Sequence, residues 1–534
     1  MTEYTSDADV ELAYTTLQTT FKSGKTREIA WRKWQLKQIW WLVDDNEALI
    51  QDALKKDMNR HPFETTFTES ANVKGDVIEH LKNIDKWTAD QKPSAGMLGL
   101  MLRPTVRPEP LGVALIIGPW NFPFSLLVQP LVAAITAGCA VLLKPSEVTS
   151  SVQQLFVDLV PKYLDTSAVR VVTGGPAETG RLLQRKFDHI FFTGSVPVAR
   201  HIAAAAAKHL TPTVLELGGQ CPAIVTSSAD VDAAAKEIAW IKYLNAGQIC
   251  LSVNHVFAHP SVERKLIERM AFWLDRFYKG EKDAMTHIVN DKNYARIKQL
   301  VEKTKGKIEL DGTPVAEARS LPVSIVSNVK LSDSLLSEEL FGTVCPVIKG
   351  STDDAIKSIN SLPRPLALYI FSQDQNEVEQ IISSTLSGGV CVNGVLVHAM
   401  VPNAPFGGVG DSGHGAYHGE YGFKSFTHYR TIARPTPFFF KVSDWMRPPY
   451  SVDNIKKLAV RNSVGIQRNW SLEQEREAIK RGLLLTKTIG GWVCLKAQGI
   501  CLWRLGLCFE AVVLENTRER FGELILNEIP GLLR

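Results

Sequence analysis

Metal-ligand spacing is missing from this sequence. Its eight cysteines form no CxxC pair and no cluster with histidine at zinc spacing, so we expect no metal site. The amino terminus also lacks a long apolar run, because residues 1–10 are polar and acidic and give no indication of a secretory signal. We therefore expect a cytoplasmic protein whose thiols stay reduced.

The sequence also lacks a large excess of positive or negative charge. The chain has 60 lysines and arginines against 56 aspartates and glutamates, which gives a net charge of +4. So small an excess, without aromatic residues interleaved with basic ones, predicts no nucleic-acid partner. With 534 residues, 45% apolar and 22% charged, the chain is long enough for two or three domains around a large core.

The order of the periodic segments predicts an α/β fold. Apolar residues at helical spacing predict helices from about Val10 to Trp87. Further along, helices at 125–137 and 151–164 alternate with apolar strands at 112–117, 140–143, 169–173, 189–193 and 213–217. Strands that are apolar throughout and separated by helices predict a parallel sheet covered on both faces. Such sheets bind ligands beyond the carboxyl ends of their strands.

A possible nucleophile and a possible base lie 34 positions apart. Glu216 lies in the predicted strand 213–217, just before Gly218-Gly219, and Cys250 ends the stretch Gly247-Gln248-Ile249-Cys250. A thiolate can attack an electrophilic carbon, and a carboxylate can activate water. Taken alone, the cysteine is more typical of a small buried hydrophobe and the glutamate of a turn residue.

Two further motifs follow strands of the predicted sheet. Asn121, in Gly118-Pro119-Trp120-Asn121-Phe122-Pro123, can donate a hydrogen bond to a developing oxyanion, although a turn residue is the alternative interpretation. Lys144 and Glu147 can bracket the two hydroxyls of an adenosine ribose, and the carboxylate favours NAD over NADP because it would repel a 2′-phosphate. A solvated helix start is the alternative for this pair.

A third motif lies at a strand-to-helix junction. The stretch Gly194-Ser195-Val196-Pro197-Val198-Ala199 places a glycine and a hydroxyl where backbone N–H groups can meet a pyrophosphate. It is no standard G-x-G-x-x-G, and Ala199 at its end is expected to tighten helix packing.

These motifs, in this order, resemble those of the aldehyde dehydrogenase superfamily from about Trp31 to about Arg430. Ser337–Gly342 resembles the family's EE-x-F-G motif, although Thr343 stands where the family usually has proline. The resemblance implies catalytic roles for Cys250, Glu216 and Asn121. It implies NAD binding, with NADP possible, by Trp120, Lys144, Glu147, Gly194, Ser195, Val196, Pro197, Val198, Ala199, Glu339 and Phe341.

The resemblance also implies a domain organisation. We expect a Rossmann-like NAD-binding domain in residues 1–90 (helical part) and 91–215, an α/β catalytic thiol domain in 216–415, an oligomerisation arm in 416–440, and a C-terminal extension in 441–534. Part of the arm is expected within 91–215. Members of the family assemble at least as dimers, so a homodimer is expected.

Finer details resemble the class-three branch, which includes fatty aldehyde dehydrogenases. They are the segments 207–212 and 417–419. Gln220 and the sequence of residues 242–255 resemble those of fungal members that oxidise β-apo-4′-carotenal to neurosporaxanthin in carotenoid biosynthesis. An apocarotenal is therefore the first expected substrate and a fatty aldehyde the alternative. An alternative of another class is a binding or structural protein that kept the fold without turnover.

The tail gives a weaker pattern. Residues 483–514 are apolar, but their longest charge-free piece is eight residues, far below the roughly 20 needed to cross a bilayer. Trp492, Trp503 and cysteines at seven-residue spacing predict a helix face for a membrane surface or a partner. A poorly ordered extension or one altered by misassigned splicing is the alternative.

Overall fold

The computed structural model describes residues 4–280, 284–310 and 318–458, together with 471, 473–474 and 476–477. Its α-helices are α1 Asp7–Ser23, α2 Ile29–Asp45, α3 Glu47–Met58, α4 Pro62–Thr65, α5 Ala71–Thr88, α6 Gly96–Leu102, α7 Ser125–Ala137, α8 Ser150–Tyr163, α9 Pro176–Leu182, α10 Val196–Lys208, α11 Val231–Tyr243, α12 Glu263–Tyr278, α13 Asp291–Lys303, α14 Thr352–Ser361, α15 Gln375–Ser384, α16 Gly419–Ser425 and α17 Pro437–Ser443. A π-helical turn, Thr66–Ser70, joins α4 to α5.

The strands are β1 Thr105–Pro110, β2 Val113–Ile117, β3 Ala140–Lys144, β4 Val169–Val171, β5 His189–Gly194, β6 Thr213–Leu217, β7 Pro222–Val225, β8 His255–Ala258, β9 Lys307–Leu310, β10 Ser324–Ser327, β11 Val344–Lys349, β12 Ala367–Phe371, β13 Gly389–Val392, β14 Gly413–His414 and β15 Thr427–Ile432. They form a six-stranded sheet in the order β14-β6-β5-β2-β3-β4 and a seven-stranded sheet in the order β13-β12-β7-β8-β11-β10-β9. A two-stranded sheet pairs β1 with β15.

The six-stranded sheet confirms the predicted α/β fold. Its strands are parallel except for β14, which pairs antiparallel with β6. Along β2, Ala114 and Ile116 pack into one apolar core, and the alternate residues Val113, Leu115 and Ile117 pack into another. Because successive side chains of a strand point to opposite faces, burial on both sides requires the unbroken apolar run seen in the sequence.

The seven-stranded sheet continues directly from the six-stranded one. After β6 the chain turns at Gly218 and Gly219 and enters β7, which pairs in parallel with β8 and β12. Among the described strands of the seven-stranded sheet, only β9, at the far edge, pairs antiparallel. The end of β6 and the loop that enters β8 therefore lie at different sheets, with β7 and α11 between them along the chain.

The described residues divide into two compact units. One contains residues up to Asp90 together with Arg107–Arg430, and the other contains Gln91–Val106 with the described residues from Thr431 onward. In the second unit the backbone N–H groups of Arg434 and Thr436 donate to the carbonyls of Leu102 and Met101, at 2.7 and 2.8 Å. All the sequence motifs from Gly118 to Gly413 lie in the first unit.

No helix in the described part of the chain is long and apolar enough to cross a membrane. The apolar stretch 483–514, with Trp492, Trp503 and the three cysteines of the predicted helix face, lies outside the described residues.

Candidate active site

Glu216 lies near the carboxyl end of β6, between two hydrogen-bonded neighbours. Its Cα is paired with Thr193 of β5 on one side and with Gly413 of β14 on the other. Leu215 and Leu217 pack into the core on the α10 side of the sheet. Because side chains alternate along a strand, Glu216 points to the opposite face.

The Glu216 carboxyl group is buried without a partner. The residue is 4% exposed, and neither carboxyl oxygen has a hydrogen-bond partner among the described residues. The glycine-rich segment 405–413 covers it, because a Cβ added at Gly407 would lie 3.0 Å from Glu216 Oε1. Burial raises the pKa of Glu216 well above its ordinary value. An unpaired buried carboxyl is costly and is typical of a functional site.

The loop that carries Cys250 has an unusual backbone. After α11 ends at Tyr243, Asn245, Ala246 and Gly247 adopt left-handed φ angles of 48°, 52° and 68°. Two consecutive left-handed residues that are not glycine indicate stored strain. At Gly247 a side chain is also excluded by contact, because a Cβ there would lie 2.3 Å from the carbonyl oxygen of Gly342. The loop therefore packs directly on the EE-x-F-G segment.

Cys250 faces three titratable groups. The residue as a whole is partly exposed, but its thiol is surrounded by groups that exclude water. This desolvation, followed by the charges of Cys221, Glu339 and Glu216, raises the pKa of the Cys250 thiol far above its ordinary value. Cys221 Sγ also donates to the carbonyl oxygen of Cys250 at 3.2 Å. The Glu216 carboxyl group therefore lies close enough to affect the pKa of the thiol.

Asn121 lies beside the same loop. It follows β2, is 4% exposed, and its Nδ2 donates to the carbonyl oxygen of Gln248 at 3.1 Å. Asn245 Nδ2 donates to the carbonyl oxygens of both Asn121 and Gln248, each at 3.1 Å. An amide nitrogen carries two N–H bonds, so the second N–H of Asn121 can serve an oxygen atom near Cys250.

Lys144 and Glu147 lie at the same sheet edge as Asn121. Lys144 is the last residue of β3, where its Cα is paired with Ile117, and its Nζ is 2.6 Å from Glu147 Oε2. Ser195, beyond the end of β5, occupies the N-cap of α10 without making a side-chain capping bond. In the rest of this stretch Gly194 and Val196 are half-buried, Pro197 and Val198 are exposed, and Ala199 is buried in the core.

Trp120 and Phe341 meet edge to face. Their ring centroids are 5.2 Å apart and their planes are inclined at 78°. Phe341 has a left-handed φ of 46°, a conformation that bulky residues rarely adopt. Glu339, two residues earlier, lies against the backbone of Gly218, and burial raises the pKa of its carboxyl group to about 7.

These residues fit a dinucleotide. The uncapped helix start at Ser195 offers free N–H groups to a pyrophosphate, and the Lys144–Glu147 pair offers a donor and an acceptor to ribose hydroxyls. Trp120 and Phe341 offer apolar ring surface to a flat heterocycle. Among the described residues, no group of three or more histidine, cysteine or acidic side chains could hold a metal ion.

The sequence patterns alone do not reveal the role of three buried polar residues. Arg60, Glu69 and Asn245 form a hydrogen-bonded network beneath the Asn121 and Cys250 loops. Arg60 lies in the polar stretch Asn59-Arg60-His61, a pattern that is typical of surface residues. Asn245 belongs to the stretch that resembles the family signature, but nothing in its spacing indicated a partner 185 positions away.

Comparisons with known proteins support one family. The model of the aldehyde dehydrogenase family matches residues 2–432. The chain is 36% identical to aldehyde dehydrogenase family 3 member B1 of Homo sapiens, over 83% of this chain and 95% of that protein. It is 39% identical to the dimeric NADP-preferring aldehyde dehydrogenase of Rattus norvegicus, over 77% and 91% respectively.

A solved structure is similar over the same region. The substrate-bound state of Staphylococcus aureus AldH superposes with a TM-score of 0.78 at 31% sequence identity. The similarity covers 82% of this chain and 99% of the bacterial chain.

Proposed function

Because the chain belongs to the aldehyde dehydrogenase family, we propose that it oxidises a long apolar aldehyde, with Cys250 as nucleophile, Glu216 as base and the Asn121 amide as hydrogen-bond donor to the oxyanion. The coenzyme of this family is NAD or NADP. Two observations support these roles: the Glu216 carboxyl group raises the pKa of the Cys250 thiol, and the Asn121 amide donates to the carbonyl oxygen of Gln248, two residues before Cys250.

In the first step the Cys250 sulfur, as thiolate, forms a bond to the aldehyde carbon, and the carbonyl electrons move to oxygen. The Asn121 amide and a backbone N–H near Cys250 stabilise this oxyanion, and one such donor contributes about 3 kcal/mol. The raised pKa of the thiol means that a nearby base must accept its proton.

NAD or NADP, held by the residues assigned below, would supply the acceptor for the hydride that leaves the tetrahedral carbon. Cys250 is then left in a thioester with the acyl group. Glu216, as carboxylate, accepts a proton from water while the water oxygen attacks the thioester carbon. The bond to sulfur breaks, and the carboxylic acid is released.

We assign the coenzyme-binding residues by their positions. Lys144 and Glu147 would hold the adenosine ribose, the backbone from Gly194 to Ala199 the pyrophosphate, and Glu339 the nicotinamide ribose, with Trp120 and Phe341 beside the ring. The Glu147 carboxylate favours NAD over NADP. Residues 1–215 then form the coenzyme domain and 216–415 the thiol domain, within the limits predicted from the sequence.

The substrate we propose first is an apocarotenal. A series of neighbouring rings leads toward Glu216. The ring centroids of Tyr369 and His398 are 6.0 Å apart. The ring centroid of Phe406 is 6.4 Å from that of His398 and 5.5 Å from that of Tyr417. Phe406 directly precedes Gly407, which covers the carboxyl group. Aromatic ring surface of this kind packs well against a flat polyene. A fatty aldehyde is the second candidate, because the chain resembles class-three enzymes.

A substrate panel tests this proposal. Purified protein is assayed by NADH absorbance with apocarotenals and with alkanals of matched length. We expect the largest kcat/KM for an apocarotenal, whereas a preference for alkanals would select the second candidate. Absence of NADH formation with every aldehyde, at saturating NAD or NADP, would favour a binding or structural protein.

A homodimer is the assembly we propose, because the Rattus norvegicus relative is named dimeric. Light scattering after size-exclusion chromatography should give twice the mass of a chain of 59.2 kDa. The single-chain mass would contradict it. The predicted membrane-surface contact of the tail stays a prediction, testable by flotation of the full chain with vesicles.

A further inference from the structure

Arg60 is a fully buried arginine beneath the active-site loops. Its Nη1 donates to Glu69 Oε1 at 2.6 Å. Its Nη2 donates to the carbonyl oxygen of Asn121 and, at 2.7 Å, to Asn245 Oδ1. The guanidinium also lies 5.0 Å from the ring centroid of Phe122. The guanidinium group of Arg60 therefore contacts both the loop that carries Asn121 and the loop that carries Cys250.

The Arg60–Glu69 ion pair is set rigidly in the fold. Glu69 lies in the π-helical turn Thr66–Ser70, and its second oxygen accepts the backbone N–H of Ser125, the first residue of α7, at 2.6 Å. Both side chains are completely excluded from solvent. A buried ion pair is seldom a net source of stability compared with apolar packing, so a role in specifying geometry is its better physical explanation.

Arg60 determines which way the Asn245 amide faces. Arginine has only donors, so it must face the oxygen of that amide, and the nitrogen then points to the carbonyl oxygens of Asn121 and Gln248. The backbone N–H of Asn245 is held at 3.2 Å by Glu64 Oε2. These bonds hold a residue with a left-handed φ of 48° only five positions before Cys250.

We infer that Arg60 is a positioning residue that fixes the separation between the Asn121 amide and the Cys250 sulfur, through the Asn121 carbonyl and the Asn245 side chain. This inference rests on the proposed roles of Cys250 and Asn121. Displacing two reacting groups by about 1 Å can slow a reaction about a hundredfold, so a rigid link between the two loops would matter for rate.

The test compares two buried arginines. Arg60→Lys and Arg60→Met are made alongside Arg32→Lys and Arg32→Met. Arg32 is 5% exposed and, among the described residues, donates only to the backbone carbonyls of Thr26, Arg27 and Thr136, away from both loops. Each variant is measured for melting temperature, coenzyme Kd, aldehyde KM and the rate of the pre-steady-state NADH burst.

We expect Arg60→Met to lower the burst rate between about tenfold and about a hundredfold, and Arg60→Lys to recover part of that loss. Coenzyme Kd should stay within about twofold, because the described hydrogen bonds of Arg60 go to Glu69, Asn121 and Asn245 and to none of the residues assigned to the coenzyme. The Arg32 variants should lower the melting temperature by a similar amount and keep the burst rate of the folded enzyme.

A second variant covers the case in which Arg60 variants do not fold. Asn245→Asp keeps the size and the acceptor for Arg60, but it loses both N–H donors to the Asn121 and Gln248 carbonyls. A reduced burst rate in folded Asn245→Asp would support the inference. Burst rates within about twofold of the wild type, in every folded Arg60 and Asn245 variant, would overturn it. Failure of the proposed function gives a different result, namely an undiminished burst in Cys250→Ala.

Discussion

The ends of β3 and β5 carry polar groups that are exposed or already paired, whereas the end of β6 carries a carboxyl group that is neither. On the proposed coenzyme side, Lys144 and Glu147 satisfy each other at 2.6 Å, and Ser195 is exposed. On the chemical side, Glu216 is buried without a partner, and the Cys250 thiol lies among groups that raise its pKa. The strands β3, β5 and β6 belong to one sheet, in which β5 and β6 are neighbours.

The difference reflects what each side must do. A coenzyme-binding group meets polar atoms that replace water, so it can remain solvated until the ligand arrives. A nucleophile and a base instead need pKa values shifted from their ordinary values, and burial and neighbouring charges produce such shifts. Changes on the coenzyme side should therefore alter affinity and selectivity, and changes on the chemical side should alter rate.

The largest expected effect is that of Cys250→Ala. It should lower NADH formation by about four orders of magnitude or more, because no other group replaces the sulfur. Coenzyme binding, measured by fluorescence titration, should persist. Cys139→Ala is the matched control, since Cys139 is a buried thiol that donates to the Phe426 carbonyl at 3.5 Å, away from the site. Near-normal turnover of Cys250→Ala would refute the nucleophile assignment.

Glu216→Gln should leave the first turnover and slow the later ones. An amide cannot accept the proton of water, so steady-state turnover should fall by about a thousandfold while the NADH burst remains. Stopped-flow absorbance separates the two phases. An unchanged steady rate would remove Glu216 from the role of base.

Glu339→Gln should change how stability depends on pH. The pKa of Glu339 is raised from an ordinary 4.5 to about 7, so between these values the folded protein holds a proton that the unfolded chain releases. Stability from this group therefore falls as pH rises through that window, and glutamine removes the fall. Between pH 5 and 8 the difference in unfolding free energy should shift by about 2 kcal/mol in favour of the variant. Denaturant unfolding of the coenzyme-free proteins measures it, and a constant difference would contradict it.

The smallest effect is expected on the coenzyme side. Glu147→Gln removes the charge that would repel a 2′-phosphate, but Lys144 already compensates part of it at 2.6 Å. The ratio of kcat/KM for NADP to that for NAD should rise about fivefold. A fall in the burst rate of Glu147→Gln with NAD, alongside the rise in this ratio, would break the distinction between the two sides.

Local patterns in the sequence predicted the fold well. The strand at 213–217 and the helix at 125–137 have their predicted bounds, because apolar runs and periodic spacing are properties of neighbouring residues. The helices between Val10 and Trp87 are also present. The strand at 169–173 ends two residues earlier than predicted, at Val171.

The polar interior could not be predicted in the same way. Arg60, Glu69 and Asn245 come from segments up to 185 positions apart, and each alone is typical of a solvated residue. Likewise, the contact of Gly407 with Glu216 depends on β14 pairing with β6. Such contacts follow from tertiary packing, which the spacing of residues along the chain does not encode.

The most direct test of the central claim is to trap the acyl group. Glu216→Gln is mixed with coenzyme and one equivalent of aldehyde, quenched in acid during the burst, digested and analysed by mass spectrometry. We predict that the acyl mass appears on the peptide containing Cys250, in an amount matching the NADH released. NADH formed without acylation of that peptide, or with the acyl mass on another cysteine, would contradict the convergence of Cys250 and Glu216 on one carbon atom.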